Sequence, residues 1–135
     1  GFGLWELRCR PLDGLGGVIL PDVRHCWVEC GGHSYSVLYD EGTGNATKEV
    51  DDTRDLGRGY VVASGPGRCD CIASHFSLNS ASYPYDPSDC NSNYYAQSLL
   101  RCCGVTPPQP AGALGWNLCE DHPVNCMCWP SVGGE

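Results

Sequence analysis

Eleven cysteines in a chain of 135 residues constrain this sequence more than any other feature. At about 8% of the chain they reach the level at which a short sequence is read as a disulfide scaffold, and they point away from the cytosol. Zinc is the competing use. Zinc knuckles usually separate paired ligands by roughly two to four residues. Here Cys69-Asp70-Cys71 and Cys126-Met127-Cys128 have one residue between them, and Cys102-Cys103 has none. The spacing therefore predicts disulfides, with no metal and no cofactor. An odd count leaves one cysteine free, bridged to a second molecule or on a metal.

The length suits one domain over residues 1–135, with 105–135 as a Pro- and Cys-rich wrapping tail. Eighteen Gly and ten Pro exclude a long helical bundle. Eight Lys and Arg against sixteen Asp and Glu give a net charge of −8, which repels a polyanion and argues against nucleic acid as a partner. No run approaches the ~18 consecutive apolar residues of a membrane span. Gly1 stands where an initiating Met would, and is read as the start of a mature product or of a piece cut from a precursor. Asn45-Ala46-Thr47 is an N-glycosylation sequon. Together these predict a secreted or extracellular protein.

The expected fold is α+β, a small antiparallel sheet packed on one main helix, loop-rich and stapled by disulfides. Phe2 to Arg10 reads as an edge strand ending at Pro11. Two β-rich runs flank Gly31-Gly32, and a two-residue loop there pairs Cys30 with His33, Glu29 with Ser34, Trp27 with Ser36 and His25 with Leu38. Alternation then places His25, Trp27, Glu29, Ser34, Ser36 and Leu38 on one face, and Cys26, Val28, Cys30, His33, Tyr35 and Val37 on the other. Asp40 to Asp55 lacks periodicity and reads as a solvated acidic loop. Gly59 to Ser64 reads as a short buried strand. Cys69 to Leu78 reads as a short helix or a segment pinned by its cysteines, and Tyr83 to Pro87 as a turn. The clearest helix follows. Ser88 and Asp89 are its N-cap candidates, Ala96, Leu99, Leu100 and Cys103 share one buried face, and Gly104 closes it.

A cysteine at the mouth of this helix, Cys90, stands where the dipole and unpaired N–H groups stabilise a thiolate. It is the candidate nucleophile. His25, on a strand that would pack beside the helix, is the candidate base, and Ser36, diagonally across the hairpin on the same face, the candidate that orients the imidazole. Asn91 and Asn93 are read as side chains that hold the helix start by bonds to backbone. Aromatic residues, Trp27 among them, are read as core area.

The run from Asp89 to Gly104, with C-N-S-N, an aromatic pair, Ala, a Leu-Leu pair and a terminal C-G, resembles a helix motif of bacterial Rhs-type and related polymorphic toxin proteins. His25-Cys26-Trp27-Val28 is similar to the H-x-W/F-V strand those proteins carry, and Pro107 to Trp116 to their Pro-rich then G-W segment. The order of a His strand before a Cys helix resembles circularly permuted papain-like enzymes, a group that includes NlpC-like amidases and lecithin:retinol acyltransferase-like proteins. The resemblance implies that Cys90 is the nucleophile and His25 the base of a thiol hydrolase or acyl transferase acting on an amide, peptide or ester. A second class fits the same residues: a disulfide-rich, glycosylated extracellular structural or binding module that self-associates, with the eleventh cysteine linking subunits.

Overall fold

A computed structural model describes residues 3–13, 19–78, 91–114 and 116. Five strands, β1 (Leu4–Asp13), β2 (Ile19–Cys30), β3 (His33–Tyr39), β4 (Ala46–Val50) and β5 (Tyr60–Pro66), and two helices, α1 (Cys69–Leu78) and α2 (Ser92–Cys102), follow one another along the chain. The strands form one antiparallel sheet in the order β4-β3-β2-β1-β5. The α+β, disulfide-stapled class expected from the sequence is what forms, with two helices of similar length in place of one main helix.

Gly31 and Gly32 have φ of +63° and +84°, the left-handed pair that a two-residue hairpin with the right strand twist requires. Cys30 accordingly pairs with His33, Glu29 with Ser34 and Val28 with Tyr35, in the expected register. The β2–β3 ladder stops there, so the further pairs of Trp27 with Ser36 and His25 with Leu38 are absent from it. β3 turns instead to β4, which pairs with it from Tyr35–Val50 to Tyr39–Ala46.

Period-two alternation sorts β1 and β2 into two chemically different faces. On one, Trp5, Leu7 and Cys9 lie opposite Cys30, Val28 and Cys26. This face joins Ile72 and Phe76 of α1 and Tyr95, Ala96, Leu99 and Leu100 of α2 in the hydrophobic core. On the other, Glu6, Arg8 and Arg10 lie opposite Glu29, Trp27 and His25. Three disulfides fix the layers: Cys9–Cys26 across β1 and β2, Cys30–Cys69 from sheet to α1, and Cys71–Cys103 from α1 to the end of α2. Cys102 is bridged as well, so every cysteine among the described residues is in a disulfide.

Four expectations are corrected. β1 is interior, between β2 and β5, and runs through Pro11, where a register shift accommodates the missing N–H. Residues 46–50 of the supposed acidic loop form an edge strand, because Ala46 and its neighbours pair with β3. Strand β5 is the opposite edge, with Tyr60 and Val61 exposed rather than buried. Helix α2 is capped by Asn91, whose side chain accepts from the N–H groups of Asn93 and Tyr94. Ser88, Asp89 and the turn at 83–87 lie outside the described residues. At the other end Gly104, with φ +81°, donates to Arg101 O, while Val105 N–H reaches Leu100 O, a Schellman closure.

Two glycines are required by close approach, Gly65 against the buried Trp5 ring at 2.6 Å and, against backbone as well, Gly59. A Cβ on Gly59, at φ +70°, would stand 2.5 Å from the Cys9 carbonyl oxygen and 2.7 Å from the Trp27 ring. Gly59→Ala is expected to cost about 2–4 kcal/mol and to lower Tm by several degrees. Thermal unfolding followed by circular dichroism checks this, and an unchanged Tm would contradict the packing described.

Candidate active site

The site begins where the β2–β3 ladder ends. In an antiparallel hairpin the pairs that exchange hydrogen bonds recur at every second residue, so after Val28–Tyr35 the next would be Cys26–Val37. Cys26 N–H donates instead to Asn93 Oδ1 at 2.8 Å, and Asn93 Nδ2 donates to Arg24 O at 2.9 Å. The primary amide of Asn93 thus offers strand β2 one acceptor and one donor, as a neighbouring peptide group would. This docks the first turn of α2 against the end of β2. Asn93→Ala leaves a buried N–H and a carbonyl without these partners. It is expected to cost about 2–3 kcal/mol and to speed hydrogen exchange of the Cys26 amide.

Docked in this way, the first residue of α2, Ser92, meets His25. Ser92 Oγ lies 2.7 Å from His25 Nδ1, and His25 Nε2 lies 3.1 Å from Asp55 Oδ2. The imidazole stacks on Trp27, with ring centroids 5.4 Å apart and planes inclined by 25°. Asp55 Oδ1 accepts from Arg10 Nε at 3.0 Å, and Ser36 Oγ donates to Asp55 Oδ2 at 3.4 Å. Ser92, His25 and Asp55 are 3%, 2% and 0% exposed.

Asp55 arrives on a loop that folds back over the polar face of β1 and β2. Asp51, in the left-handed region at φ 59°, is held by Ser34 N–H on its carboxylate at 3.0 Å and by His33 Nδ1 at 2.9 Å. The Asp52 carbonyl then accepts from the N–H groups of Asp55 and Leu56, forming a turn. Gly57 N–H closes it on Glu29 Oε2 at 2.8 Å, an oxygen that also accepts from Trp27 Nε1 at 2.9 Å. The loop is therefore anchored on β2 and β3 through Asp51, Asp55 and Gly57, while Thr53, Arg54 and residues 56–58 stay exposed as a solvated loop would. Burial pushes the Asp55 carboxyl up, but the hydrogen bond and charge of His25, and then of Arg10, outweigh it and hold it below the usual carboxylate value.

Of the expected site residues, His25 and Ser36 converge on Asp55, with Ser36 on the carboxylate rather than on the ring. Cys90 lies outside the described residues. Sequence reasoning missed Asp55 and Ser92. A hidden signal existed for Asp55: Arg10 opposite His25 on one face calls for a carboxylate. Ser92 sits in the same C-N-S-N run as Cys90 and reads like an ordinary helix-start residue. Asn45 is half-buried immediately before β4, and Thr47 of the sequon pairs with Leu38 in the strand. Cys71, His75 and Cys103 place their ligand atoms within 4.8 Å of one another, yet the two sulfurs are already bonded together. Among the described residues no helix is long and apolar enough to cross a membrane. Compared with protein families, curated proteins and solved structures, the chain matches none.

The lowered Asp55 pKa gives a pH dependence with a definite sign. The folded value lies below the unfolded one of about 3.9, so the stabilisation is complete above that value and is lost as pH falls through the folded pKa. Asp55→Asn is expected to cost about 3 kcal/mol near neutrality. The difference from wild type should narrow as pH drops below about 3.9, as urea unfolding at a series of pH values will show. A constant difference would mean that the carboxylate charge plays no part.

Proposed function

We propose that this chain is a hydrolase or acyl transferase acting on an amide, peptide or ester bond, with Ser92 as nucleophile, His25 as base and Asp55 as the group that orients the imidazole. The observation that carries this reading is the position of His25, one ring nitrogen on a hydroxyl at a helix start and the other on a buried, paired carboxylate. Asp55 accepts Nε2–H and so leaves Nδ1 as the acceptor for the Ser92 proton. As Ser92 Oγ bonds to the acyl carbon, its proton passes to Nδ1. Negative charge moves to the carbonyl oxygen and the imidazolium is stabilised by Asp55. When the tetrahedral species collapses, Nδ1–H protonates the leaving amine or alcohol. Water or another nucleophile then releases the acyl group by the same steps in reverse. The Asn91 side chain occupies Asn93 and Tyr94 N–H, so the first-turn donor that the cap does not use is Ser92 N–H, which suits the oxyanion.

This keeps the reaction class implied by the resemblance to permuted papain-like enzymes and moves the nucleophile from Cys90 to Ser92. The disulfides support an oxidising, extracellular setting, where a hydroxyl has the advantage over a thiol that it cannot be consumed by bridging.

A second reading rests on burial. Three side chains that are 0–3% exposed also suit a polar structural core inside a disulfide-stapled extracellular binding module, which self-associates or carries sugar at Asn45. A fluorophosphonate probe separates the two. The enzyme reading expects the native chain to be modified at Ser92, found by peptide mass mapping, with labelling at least a hundredfold slower in His25→Ala and absent in Ser92→Ala. If native protein is labelled no faster than urea-unfolded protein, and loosening the chain around Ser92 does not raise the rate, the structural reading stands. Labelling by iodoacetamide at Cys90 that is abolished by His25→Ala would restore the thiol as nucleophile.

A further inference from the structure

The segment that follows α2 returns to the site and bonds to the residues around both reacting groups. Asn91 Nδ2 and Asn93 Nδ2, on either side of Ser92, both donate to one oxygen, the carbonyl of Leu114, at 2.8 and 2.9 Å. Arg24 N–H, next to His25, donates to the carbonyl of Gly112 at 2.8 Å. Residues 112–114 therefore bridge the strand of the base and the helix of the nucleophile through hydrogen bonds to main-chain carbonyls. Ala113 and Trp116 are buried, whereas the Leu114 side chain is exposed. The segment is shaped by its own bonds: Ala113 N–H to Pro110 O at 3.2 Å, Leu114 N–H to Gly112 O at 3.0 Å, and Gly112 at φ +77°.

We infer that residues 112–114 form an internal strap that occupies a binding cleft for an extended polypeptide, and that it must leave before Ser92 can be acylated. The donors that it engages are those a peptide substrate would need, since two side-chain amides and a strand N–H recognise backbone carbonyls irrespective of side chain. Nothing in the contact is specific to charge or to a sugar hydroxyl. The strap's bonds fall on the immediate neighbours of Ser92 and His25, both of which are buried. Gly112 and Ala113 have little side-chain entropy to lose on docking, and release has to withdraw Ala113 and Trp116 from the core.

The inference rests on the hydrolase reading for its consequence, and its test has two separate readouts. Gly112→Val places a branched residue at a left-handed φ and is expected to unseat the strap; Trp116→Ala, which removes a buried anchor, serves as the second variant. Circular dichroism confirms that each folds. Ser92 labelling by a fluorophosphonate should then be at least tenfold faster than in wild type. A synthetic peptide with the sequence of Pro110–Trp116, added in excess, should restore the slow rate. In parallel, the side-chain amide resonances of Asn91 and Asn93 should shift in the released variant and return towards their wild-type positions with the peptide. If wild type and both variants label at one rate, the strap does not gate the site. If the amide resonances ignore both release and peptide, it does not occupy a peptide-binding cleft. Restored amide signals with no labelling in any protein would keep the cleft and sink the catalytic reading.

Discussion

A carboxylate with no solvent exposure must be paired, and Asp55 is paired by three strands at once. Arg10 of β1, His25 of β2 and Ser36 of β3 all reach its two oxygens. Removing this charge from water costs several kcal/mol unless such partners replace the lost hydration. The loop from Asp51 to Arg58 has to close over the sheet to bring the carboxylate in, and its closure on Glu29 is what covers Trp27 and fixes the plane of His25. One face of β1 and β2 is thus a polar network, while the other is the packed, disulfide-crossed core. The division follows from alternation along two strands, and the site follows from the division.

The second constraint is the interruption of the β2–β3 ladder. An uninterrupted hairpin would use Cys26 N–H internally and leave no place for α2. Because Asn93 substitutes for a strand at that point, the helix start is delivered to within hydrogen-bond distance of the imidazole. Ser92 is at the first helical position, so its hydroxyl is aimed by the helix axis and by the Asn91 cap rather than by a loop of its own. Positioning by rigid elements is what the proposed acyl-transfer chemistry would need, since small errors in the distance between a nucleophile and its base are costly.

Local chemistry made part of this legible. The Gly31-Gly32 turn set the hairpin register for three pairs, and with it the separation of His25 and Ser36 from the Cys26 and Val28 face. The apolar spacing from Ala96 to Cys103 placed the buried face of α2, and the cysteines announced the staples. Three residues were hidden because their roles are tertiary. Asp55 is thirty residues from His25 and sits in an acidic run that, by composition, belongs to solvent. Pro11 looked like a terminator because a proline in an interior strand is tolerated only at an irregularity that sequence does not display. Ser92 was overshadowed in the sequence by Cys90, whose thiol is the more conspicuous nucleophile, although the helix begins two to three residues later than the Asp89 and Ser88 caps suggested.

The proposed role of His25 as a base depends on which of its ring nitrogens carries the proton. In the neutral ring, Asp55 should hold the hydrogen on Nε2 and leave Nδ1 bare to accept from Ser92, and ¹⁵N-resolved NMR of the imidazole reads this directly. A pyridine-type Nδ1 in wild type that becomes pyrrole-type or mixed in Asp55→Asn is the expected result. A neutral His25 with its proton on Nδ1, unaffected by Asp55, would show a ring that donates to Ser92 and cannot serve it as a base.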